Sequence, residues 1–266
     1  MNAPTSTGHI APCVLRTASN GVVTLTLNRG DRFNPLSEEM MLALQAELEA
    51  TAQDASARVV VLAATGKAFC AGHDLKQMRA NPSADFYRTL FRQCSKLMLT
   101  IQALPQPVIA RVQGIATAAG CQLVSMCDLA VASAEAKFAV SGVNYGLFCS
   151  TPAVGLSRNV SRKEAMEMLL TGDFIDADTA RVRGLVNRVV PADRLDAEIA
   201  TLTASILAKP AVAVAMGKQL FYKQLDMGIE AAYQLAEQTM TCNMMEEAAQ
   251  EGVQAFIEKR APAWRH

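Results

Sequence analysis

Histidine is scarce in this chain of 266 residues, which contains only three. His9 and His266 lie near the two ends, so His73 is the only internal one. Zinc sites with two or three histidines, H-E-x-x-H helices and multi-histidine iron sites need ligands that the chain does not have. We therefore expect no metal site and no bound cofactor, and we expect backbone groups and a few polar side chains to supply the chemistry.

An excess of charge of either sign is also missing. Lys and Arg together number 25, and Asp and Glu together number 25, so the formal net charge is zero. A balanced charge gives no general attraction to a phosphate backbone or to an anionic lipid surface. The apolar runs are far shorter than the roughly 20 residues needed to span a bilayer. The sequence therefore predicts neither a nucleic-acid partner nor a membrane partner.

Several short signatures are absent as well. The seven cysteines form no C-x-x-C pair and lie mostly in apolar runs, which is typical of reduced core residues. The chain has no G-x-S-x-G elbow, no P-loop and no G-x-G-x-x-G motif, which anchor three large enzyme classes. The first nine residues contain no Lys, no Arg and no apolar segment, so they do not resemble a secretory signal or a transit peptide. We accordingly expect a cytoplasmic protein.

Strand and helix patterns alternate up to about residue 190, and only helical patterns follow. Apolar residues alternate with threonine in Val22–Leu27, which is typical of a strand, and Ser37 before two glutamates predicts the start of a helix. After Pro210 the pattern is helical. This order predicts an α/β core over residues 1–195 and a helical C-terminal lobe over residues 196–266. Further strands are predicted at 13–17, 58–64, 108–112, 129–133 and 185–190, and further helices at 85–104, 119–127, 162–170, 176–182 and 192–208.

Two loops built of small residues follow predicted buried strands, at residues 67–76 and 113–122. Ligands bind in loops at the ends of such strands, and small residues let the backbone approach a ligand closely. The second loop enters a helix N-terminus, where unpaired N–H groups favour an anion or a developing oxyanion. If an N–H of the first loop points at the same place, the pair forms an oxyanion hole. Two tight turns without a catalytic role are the alternative.

Four motifs identify a family. They are F-C-A-G-H-D-L-K at 69–76, G-I-A-T-A-A-G-C-Q-L-V-S-M-C-D-L-A-V-A at 114–132, K-F-A-V-S-G-V-N-Y-G-L at 137–147 and F-I-E-K-R at 256–260. In order and spacing they resemble the enoyl-CoA hydratase/isomerase (crotonase) superfamily, over nearly the whole chain. Within it, the sequence is most similar to the enoyl-CoA hydratase domain-containing protein 3 group. The resemblance implies an α/β fold, a crotonase-like spiral of ββα turns with a helical C-terminal lobe that forms trimers, often paired into hexamers.

The resemblance also implies an acyl-CoA thioester as substrate, with coenzyme A as part of that substrate. In the family, two backbone N–H groups hold the thioester carbonyl, and these fall on His73 and Ala119 here. A thioester enolate places its charge on that oxygen, so one hole serves hydration, isomerisation, hydrolysis and decarboxylation. The motif therefore indicates the substrate class and leaves the reaction open.

Family hydratases place two glutamates across the double bond, and the matching positions here are Gln122 and Gly142. Neither residue can exchange a proton near neutral pH, so the two-carboxylate mechanism cannot be transferred. Asn144 falls where dienoyl-CoA isomerases carry Asp, and Cys149 falls where naphthoate synthases do; the latter group also has Gly at the position of Gly142. Ser141 and Tyr145 are hydroxyl candidates. The His73 imidazole either faces the pocket as an acid or base, or packs outward while only its N–H acts.

The coenzyme A contacts follow from the same resemblance. Lys76 matches a lysine near the ribose phosphate, and the carbonyl groups of Ala68 and Ala71 match those that contact adenine. Phe256 and Lys259 match C-terminal residues that reach coenzyme A, possibly from a neighbouring subunit, and a core role is the alternative for Phe256. The remaining substrate-binding candidates are Gly72, Asp74, Leu75 and Ala118, with capping of a helix as the alternative for Asp74.

Two functions remain open on the sequence. The first is an acyl-CoA enzyme of the lyase or isomerase class that stabilises a thioester enolate but lacks both usual glutamates. The second is a catalytically silent acyl-CoA-binding or regulatory protein. RNA binding, known in one branch of the family, is disfavoured because the chain has no Lys-rich helix and no net charge.

Overall fold

The computed structural model describes residues 11–264, so the expectations for the first nine residues and for His9 and His266 lie outside the described part. Within it the chain forms ten strands and eleven α-helices. The strands are β1 (Val14–Ser19), β2 (Val22–Leu27), β3 (Val59–Ala64), β4 (Ala68–Cys70), β5 (Val108–Val112), β6 (Ile115–Thr117), β7 (Leu129–Ser133), β8 (Lys137–Ala139), β9 (Ile175–Asp176) and β10 (Arg188–Val190). The helices are α1 (Glu38–Ala52), α2 (Leu75–Ala80), α3 (Ala84–Ala103), α4 (Ala119–Met126), α5 (Ser150–Leu156), α6 (Arg162–Thr171), α7 (Ala177–Val182), α8 (Leu195–Leu207), α9 (Ala211–Leu225), α10 (Ile229–Met244) and α11 (Glu247–Ile257).

The strands form two sheets. The first has six strands in the order β1-β2-β3-β5-β7-β10, all parallel except the β1–β2 hairpin. The second has four short strands in the order β4-β6-β8-β9. Three times the chain passes from a strand of the first sheet to one of the second and then into helical structure, as β3-β4, β5-β6 and β7-β8. This repeat is the expected α/β spiral of ββα turns.

The central strands read as continuous apolar runs because both faces of the first sheet are covered. In β3 every residue is buried: Val60 and Leu62 belong to the main core, and Val59 and Val61 belong to a smaller cluster on the opposite face. Leu195 and other α8 residues cover that second face. All seven cysteines are free thiols in the structure, and each except Cys242 is buried, so the predicted core position is confirmed for six of them.

The C-terminal helices bury few of their residues in the single chain. The only buried residue of α9 is Lys218, α11 buries only Ala255, and the described side chains of α10 bury none. The division between core and lobe at residue 195 stays a prediction. In residues 11–264 no single helix is long and apolar enough to cross a membrane, and one bent pair, 192–207 with 211–225, passes by length and composition only.

A buried polar network attaches this lobe to the core. The Lys218 Nζ donates to the carbonyl oxygens of Ile101 and Gln106 at 2.9 Å and lies 2.7 Å from Asp128 Oδ2. The hydroxyl of Tyr222, also on α9, donates to the other oxygen of Asp128 at 2.8 Å. Burial lowers the pKa of Lys218, and the Asp128 carboxylate opposes that shift. A buried ammonium with several acceptors tolerates little displacement, so the network fixes α9 against the core.

Candidate active site

Gly72 and the start of α4 bring the two small-residue loops together. Gly72 has φ +90°, and a Cβ placed there would lie 2.9 Å from Ala118 Cβ and 3.2 Å from the Ala119 nitrogen. Its carbonyl accepts the Leu36 N–H at 2.8 Å, which holds the loop in place. Only glycine combines this left-handed backbone with so close an approach. The loop after β4 is therefore in contact with the first turn of α4.

Two backbone N–H groups at this contact are unused. Within residues 11–264, neither the His73 nor the Ala119 amide has a hydrogen-bond partner. Ala118, just before α4, has φ 50° and ψ −121°, a strained conformation for a residue with a Cβ. Its own N–H donates to the Ala139 carbonyl at 3.0 Å, which holds that conformation. Two free amides on adjacent loops, one at a helix N-terminus, can together bind an oxyanion.

A cavity of about 390 Å³ adjoins these amides. Its lining comes from Ala71, His73, Leu75 and Met78, from Phe91 on α3, from 118–119, and from residues 141, 142 and 145–152, and most of these side chains are apolar. None of the residues that line it is Asp, Glu, Lys or Arg. In the described part of the chain, no group of three or more His, Cys, Asp or Glu side chains is arranged to hold a metal ion.

His73 is among the residues that line the cavity, and its ring is held at two places. Its Nδ1 lies 3.2 Å from the Leu36 carbonyl oxygen, and its ring meets Phe91 edge to face with 5.6 Å between centroids. Because a carbonyl only accepts hydrogen bonds, Nδ1 carries the proton and Nε2 carries the lone pair. Nε2 is buried and has no partner in the described chain. Burial lowers the pKa of His73, so the ring is neutral at pH 7.

Gln122 lies one turn after Ala119 on α4 and is only 4% exposed. Its Oε1 faces α3, where the Cys94 thiol is 3.9 Å away, and its amide nitrogen has no hydrogen-bond partner among residues 11–264. Gln122 is not among the residues that line the cavity.

Gly142 lines the cavity in a short 3₁₀ turn, Ser141–Tyr145. Its N–H donates to Cys149 Sγ at 3.3 Å, and its carbonyl accepts the Leu147 N–H at 3.0 Å. A Cβ on Gly142 would collide with the Leu147 carbonyl oxygen and lie 2.7 Å from Cys149 Sγ. The turn therefore has no room for any side chain at this position.

The other polar candidates divide between the cavity and its surroundings. Ser141 lines the cavity, and its hydroxyl lies 2.8 Å from that of Thr117. Tyr145 also lines it, although the side chain is 70% exposed. Asn144 does not: its Nδ2 lies 3.4 Å from the Gly172 carbonyl oxygen at the end of α6. The structure thus separates Asn144 from the residues with which the sequence grouped it.

The predicted coenzyme A residues are only partly brought together. Ala71 and Leu75 line the cavity, and Lys76 is exposed beside them on the first turn of α2. The Asp74 carboxylate accepts the N–H groups of Lys76 and the next residue, so it caps α2, as the alternative for this residue predicted. The Ala68 carbonyl already accepts two amide side chains, from Asn34 at 2.9 Å and Gln113 at 3.1 Å, so it is not free for adenine.

Phe256 and Lys259 lie far along the chain at the end of α11, outside the cavity lining. Phe256 is 84% exposed, so the alternative of a core role is wrong for the single chain. Met78, Phe91, Leu147 and Phe148 line the cavity although the sequence did not single them out. Their apolar character was visible, but apolar side chains in helices and loops are more often core, so only the fold could assign them to a pocket.

The sequence model described as Enoyl-CoA hydratase/isomerase matches residues 17–266. A protein of Xenopus laevis named "Enoyl-CoA hydratase domain-containing protein 3, mitochondrial" is 43% identical over 98% of this chain and 90% of its own length. A protein of Escherichia coli (strain K12) named 2,3-dehydroadipyl-CoA hydratase is 34% identical over 92% of this chain and 95% of its own length.

Two solved structures indicate the same family. An enoyl-CoA hydratase of Mycobacterium smegmatis is 62% identical, with a TM-score of 0.94 over 95% of this chain and 99% of its own. Human enoyl Coenzyme A hydratase domain-containing protein 3 is 42% identical, with a TM-score of 0.92 over 95% of this chain and 100% of its own.

The curated relatives correct one expectation. Enoyl-CoA hydratase domain-containing protein 3 is named as mitochondrial in frog, rat, mouse and human, which contradicts the cytoplasmic location predicted from the first nine residues. That prediction rested on the absence of a leader-like pattern, and such an absence does not specify a compartment. The family and its subgroup, in contrast, were predicted correctly from the four motifs. The chain belongs to the enoyl-CoA hydratase/isomerase family and has its crotonase fold.

Proposed function

We propose that the protein is an enzyme that binds an acyl-CoA thioester and stabilises its enolate, without the two-carboxylate route of hydration. The observation behind the proposal is the pair of unused amides of His73 and Ala119, on adjacent loops beside an apolar cavity. Each such donor contributes about 3–4 kcal/mol to an oxyanion in a site that excludes water.

The absence of carboxylates determines which reactions are favoured. Activation of water by a positioned acid and base contributes roughly 100- to 10,000-fold, and neither Gln122 nor Gly142 can supply it. Isomerisation needs the oxyanion hole and one group that removes a proton from the acyl chain and returns it, whereas hydration needs a base for water and an acid for the α-carbon. We therefore expect reactions that move a proton on the acyl chain, such as isomerisation, to be faster than hydration.

The cavity favours an uncharged acyl chain. Leu75, Met78, Phe91 and Phe148 form much of its wall, and the lining includes no cation. A carboxylate on the acyl group would lose its water without gaining a partner, which costs several kcal/mol. We therefore expect aliphatic thioesters to bind better than malonyl-type or adipyl-type ones, in contrast to what the name of the E. coli relative states for that protein.

The C-terminal helices support assembly into a trimer or a hexamer. They expose large apolar side chains that a soluble single chain rarely leaves uncovered. In such an assembly we expect Phe256 and Lys259 to reach the cavity of a neighbouring subunit rather than their own. The exposed apolar residues of this surface include Phe221, Ile229, Tyr233, Met240, Met245, Phe256 and Ile257.

A catalytically silent acyl-CoA-binding protein is the second candidate. The observation that favours it is the lack of Asp and Glu in the cavity lining. The two candidates make different predictions for a panel of saturated, trans-2-enoyl, 3-enoyl and malonyl-type CoA thioesters, with binding and mass change followed for each. Turnover of any member supports the enzyme, and binding of thioesters without turnover supports the silent protein.

A substitution that removes one backbone N–H tests the proposed oxyanion hole. Ala119 is the first residue of α4, a position where proline is tolerated because its N–H has no helical partner. Ala119→Pro removes the donor, so we expect at least a 100-fold loss of turnover. Ala119→Gly keeps the N–H and is the matched control, and thermal unfolding of both variants monitors the fold. If the proline variant turned over the thioester as fast as the glycine variant, the proposal that the Ala119 N–H forms an oxyanion hole would be wrong.

A further inference from the structure

The opening of the cavity carries three large apolar side chains that the proposed chemistry does not use. Tyr145, Leu147 and Phe148 line the cavity, and 70%, 49% and 47% of their surfaces are exposed. Side chains that contact both the cavity and the solvent lie where the cavity opens. Cys149, which also lines the cavity, is buried and belongs to its inner wall. Residues 145–148 therefore form one side of the opening.

The backbone of residues 145–148 is anchored, although the three side chains remain largely in solvent. The Leu147 N–H donates to the Gly142 carbonyl at 3.0 Å. The Phe148 carbonyl accepts the Ser150 N–H at 2.8 Å. Neighbouring apolar side chains that a fixed backbone exposes beside a cavity are typical of a surface that binds a ligand. That ligand should be apolar where it contacts them.

The volume of the cavity limits how much of a thioester it holds. A dry cavity of about 150 Å³ accommodates one benzene ring. In proportion, a cavity of about 390 Å³ holds roughly 15 carbon-sized atoms. The thioester group and the adjoining end of the pantetheine arm occupy part of that space. An acyl chain of up to about eight carbons then fits inside, and a longer chain must extend through the opening.

The residues proposed for coenzyme A lie on a different segment of the chain. Ala71, Leu75 and Lys76 belong to the loop after β4 and the first turn of α2. Residues 145–148 precede α5 and include no cation that could hold a phosphate. Coenzyme A is accordingly assigned to the first segment, and residues 145–148 are left for the end of the acyl chain.

We propose that Tyr145, Leu147 and Phe148 hold the far end of a long acyl chain where it leaves the cavity, and that they set the preferred chain length. This inference rests on the proposed function and narrows its substrate class to thioesters with acyl chains longer than about eight carbons. Contact with these side chains removes apolar surface of both the chain and the protein from water. A butanoyl group would end inside the cavity and leave the three side chains in solvent.

The expected gain follows from the apolar surface that each methylene group buries. A methylene that leaves water completely improves binding about fourfold. One that lies on a wall with solvent on its other side gains about half of that free energy, which corresponds to a factor of two. The dissociation constant should therefore fall about fourfold per methylene from butanoyl- to octanoyl-CoA, and about twofold per methylene from octanoyl- to dodecanoyl-CoA.

Binding of saturated thioesters tests the proposal without any turnover. Isothermal titration calorimetry measures the dissociation constants of free coenzyme A and of butanoyl-, octanoyl- and dodecanoyl-CoA. A double variant, Leu147→Ser with Phe148→Ser, should bind dodecanoyl-CoA at least tenfold more weakly than the wild type. Its dissociation constants for butanoyl-CoA and free coenzyme A should change by no more than about twofold.

Val154→Ser is the matched control, because Val154 is an exposed apolar residue of the adjoining helix α5 that does not line the cavity. It should leave all four dissociation constants unchanged. Tyr145→Ser is a second variant for the case that the double variant does not fold, since most of the Tyr145 side chain is in solvent. It should weaken dodecanoyl-CoA alone, by about threefold. Thermal unfolding monitors the fold of every variant.

Three results would overturn the role of residues 145–148. The first is a wild-type affinity that stops rising at octanoyl-CoA. The second is an equal loss for all four ligands in the double variant, which would assign Leu147 and Phe148 to coenzyme A. The third is normal binding by the double variant together with a smaller assembly in sedimentation, which would assign these side chains to a subunit contact.

Failure of the proposed function gives a different result. A wild type that binds none of the thioesters would overturn the proposed function, and the inference with it. A wild type that binds and turns over short thioesters, but gains no affinity from a longer chain, would leave the proposed function intact and overturn only the inference.

Discussion

The start of α4 and the turn at residues 141–149 hold the two positions that the motifs match to the glutamates of family hydratases, and the two positions differ in their room for a side chain. Gln122, on α4, has nearly the size and shape of glutamate, and its amide nitrogen has no hydrogen-bond partner among the described residues. Gly142 lies in a turn where the Leu147 carbonyl and Cys149 Sγ occupy the space of any side chain. Glutamate at position 122 would change one functional group, whereas glutamate at position 142 would require a different backbone. Only the position on α4 should therefore accept a glutamate by one substitution.

The largest effect is expected for Gly142→Ala. Its new Cβ collides with the Leu147 carbonyl, which is backbone and cannot move without rebuilding the turn, so we expect a loss of about 3 kcal/mol in the free energy of unfolding. Gly217→Ala is the matched control, because nothing lies within 4 Å of a Cβ there and the residue is inside α9. Alanine should raise stability at that position by roughly 0.5–1 kcal/mol. Urea unfolding measures both, and equal stability of the two variants would refute the crowding of the turn.

Gln122→Glu should give a gain of function together with some loss of stability, because position 122 is only 4% exposed. It places a carboxylate one turn after the Ala119 donor, so we expect hydration of crotonyl-CoA to rise about 100-fold over the wild type. Gln122→Met has the same length without an acid and should show no gain. Ultraviolet absorbance of the enoyl thioester follows the reaction, and an unchanged rate in the glutamate variant would mean that α4 does not present position 122 to the substrate.

Cys149→Ala should rescue Gly142→Ala only in part. It removes the sulfur at 2.7 Å but leaves the Leu147 carbonyl in place. A double-mutant cycle on unfolding free energies should therefore give a coupling of about 0.5–1 kcal/mol, well below the full cost of the glycine substitution. Complete rescue would show that the Cys149 side chain, and not the Leu147 backbone, leaves no room for a side chain at position 142.

The pH dependence of stability should distinguish His73 from Gln122 and Gly142, because neither glutamine nor glycine has a side chain that titrates. Burial lowers the pKa of His73 in the folded state, so below about 6.5 the unfolded chain binds the extra proton first. Stability should therefore fall as the pH drops below that value, by at most about 1.4 kcal/mol per pH unit from this residue, and be unaffected by it at higher pH. The slope should be smaller in His73→Gln. If the dependence of the unfolding free energy on pH were unchanged in His73→Gln, groups other than His73 would be responsible for it.

The elements with a local pattern were predictable from the sequence. Val22–Leu27, Val108–Val112 and Leu129–Ser133 are strands with the predicted bounds, and Ser37 caps α1 by accepting the Met40 N–H. The strand predicted at 185–190 is shorter, with only Arg188–Val190 paired. The strands β4, β6, β8 and β9 were missed, because two or three residues show no alternation and such strands are defined by their partners in space.

The site was predictable as motif positions but not as contacts. His73 and Ala119 were identified as a pair, and the structure places their loops together. The closed space at Gly142, the turn of Asn144 toward Gly172 and the engaged carbonyl of Ala68 each depend on residues several to dozens of positions away. Motif spacing reports which residue stands at a position, and it contains no information on which neighbours fill its space or use its polar atoms.

The buried ammonium of Lys218 links two properties of the protein that are usually measured separately. Its partner Asp128 also accepts the Val108 N–H at the start of β5 and is the second residue after Met126, where α4 ends. The helix that starts with the Ala119 donor is thus fixed at its far end by the lobe that would form the subunit contacts. If the lobe forms the subunit contacts as proposed, a change in how the lobe packs would therefore also change the position of α4. We accordingly expect subunit association to affect the affinity for the proposed thioester, and the thioester to affect association.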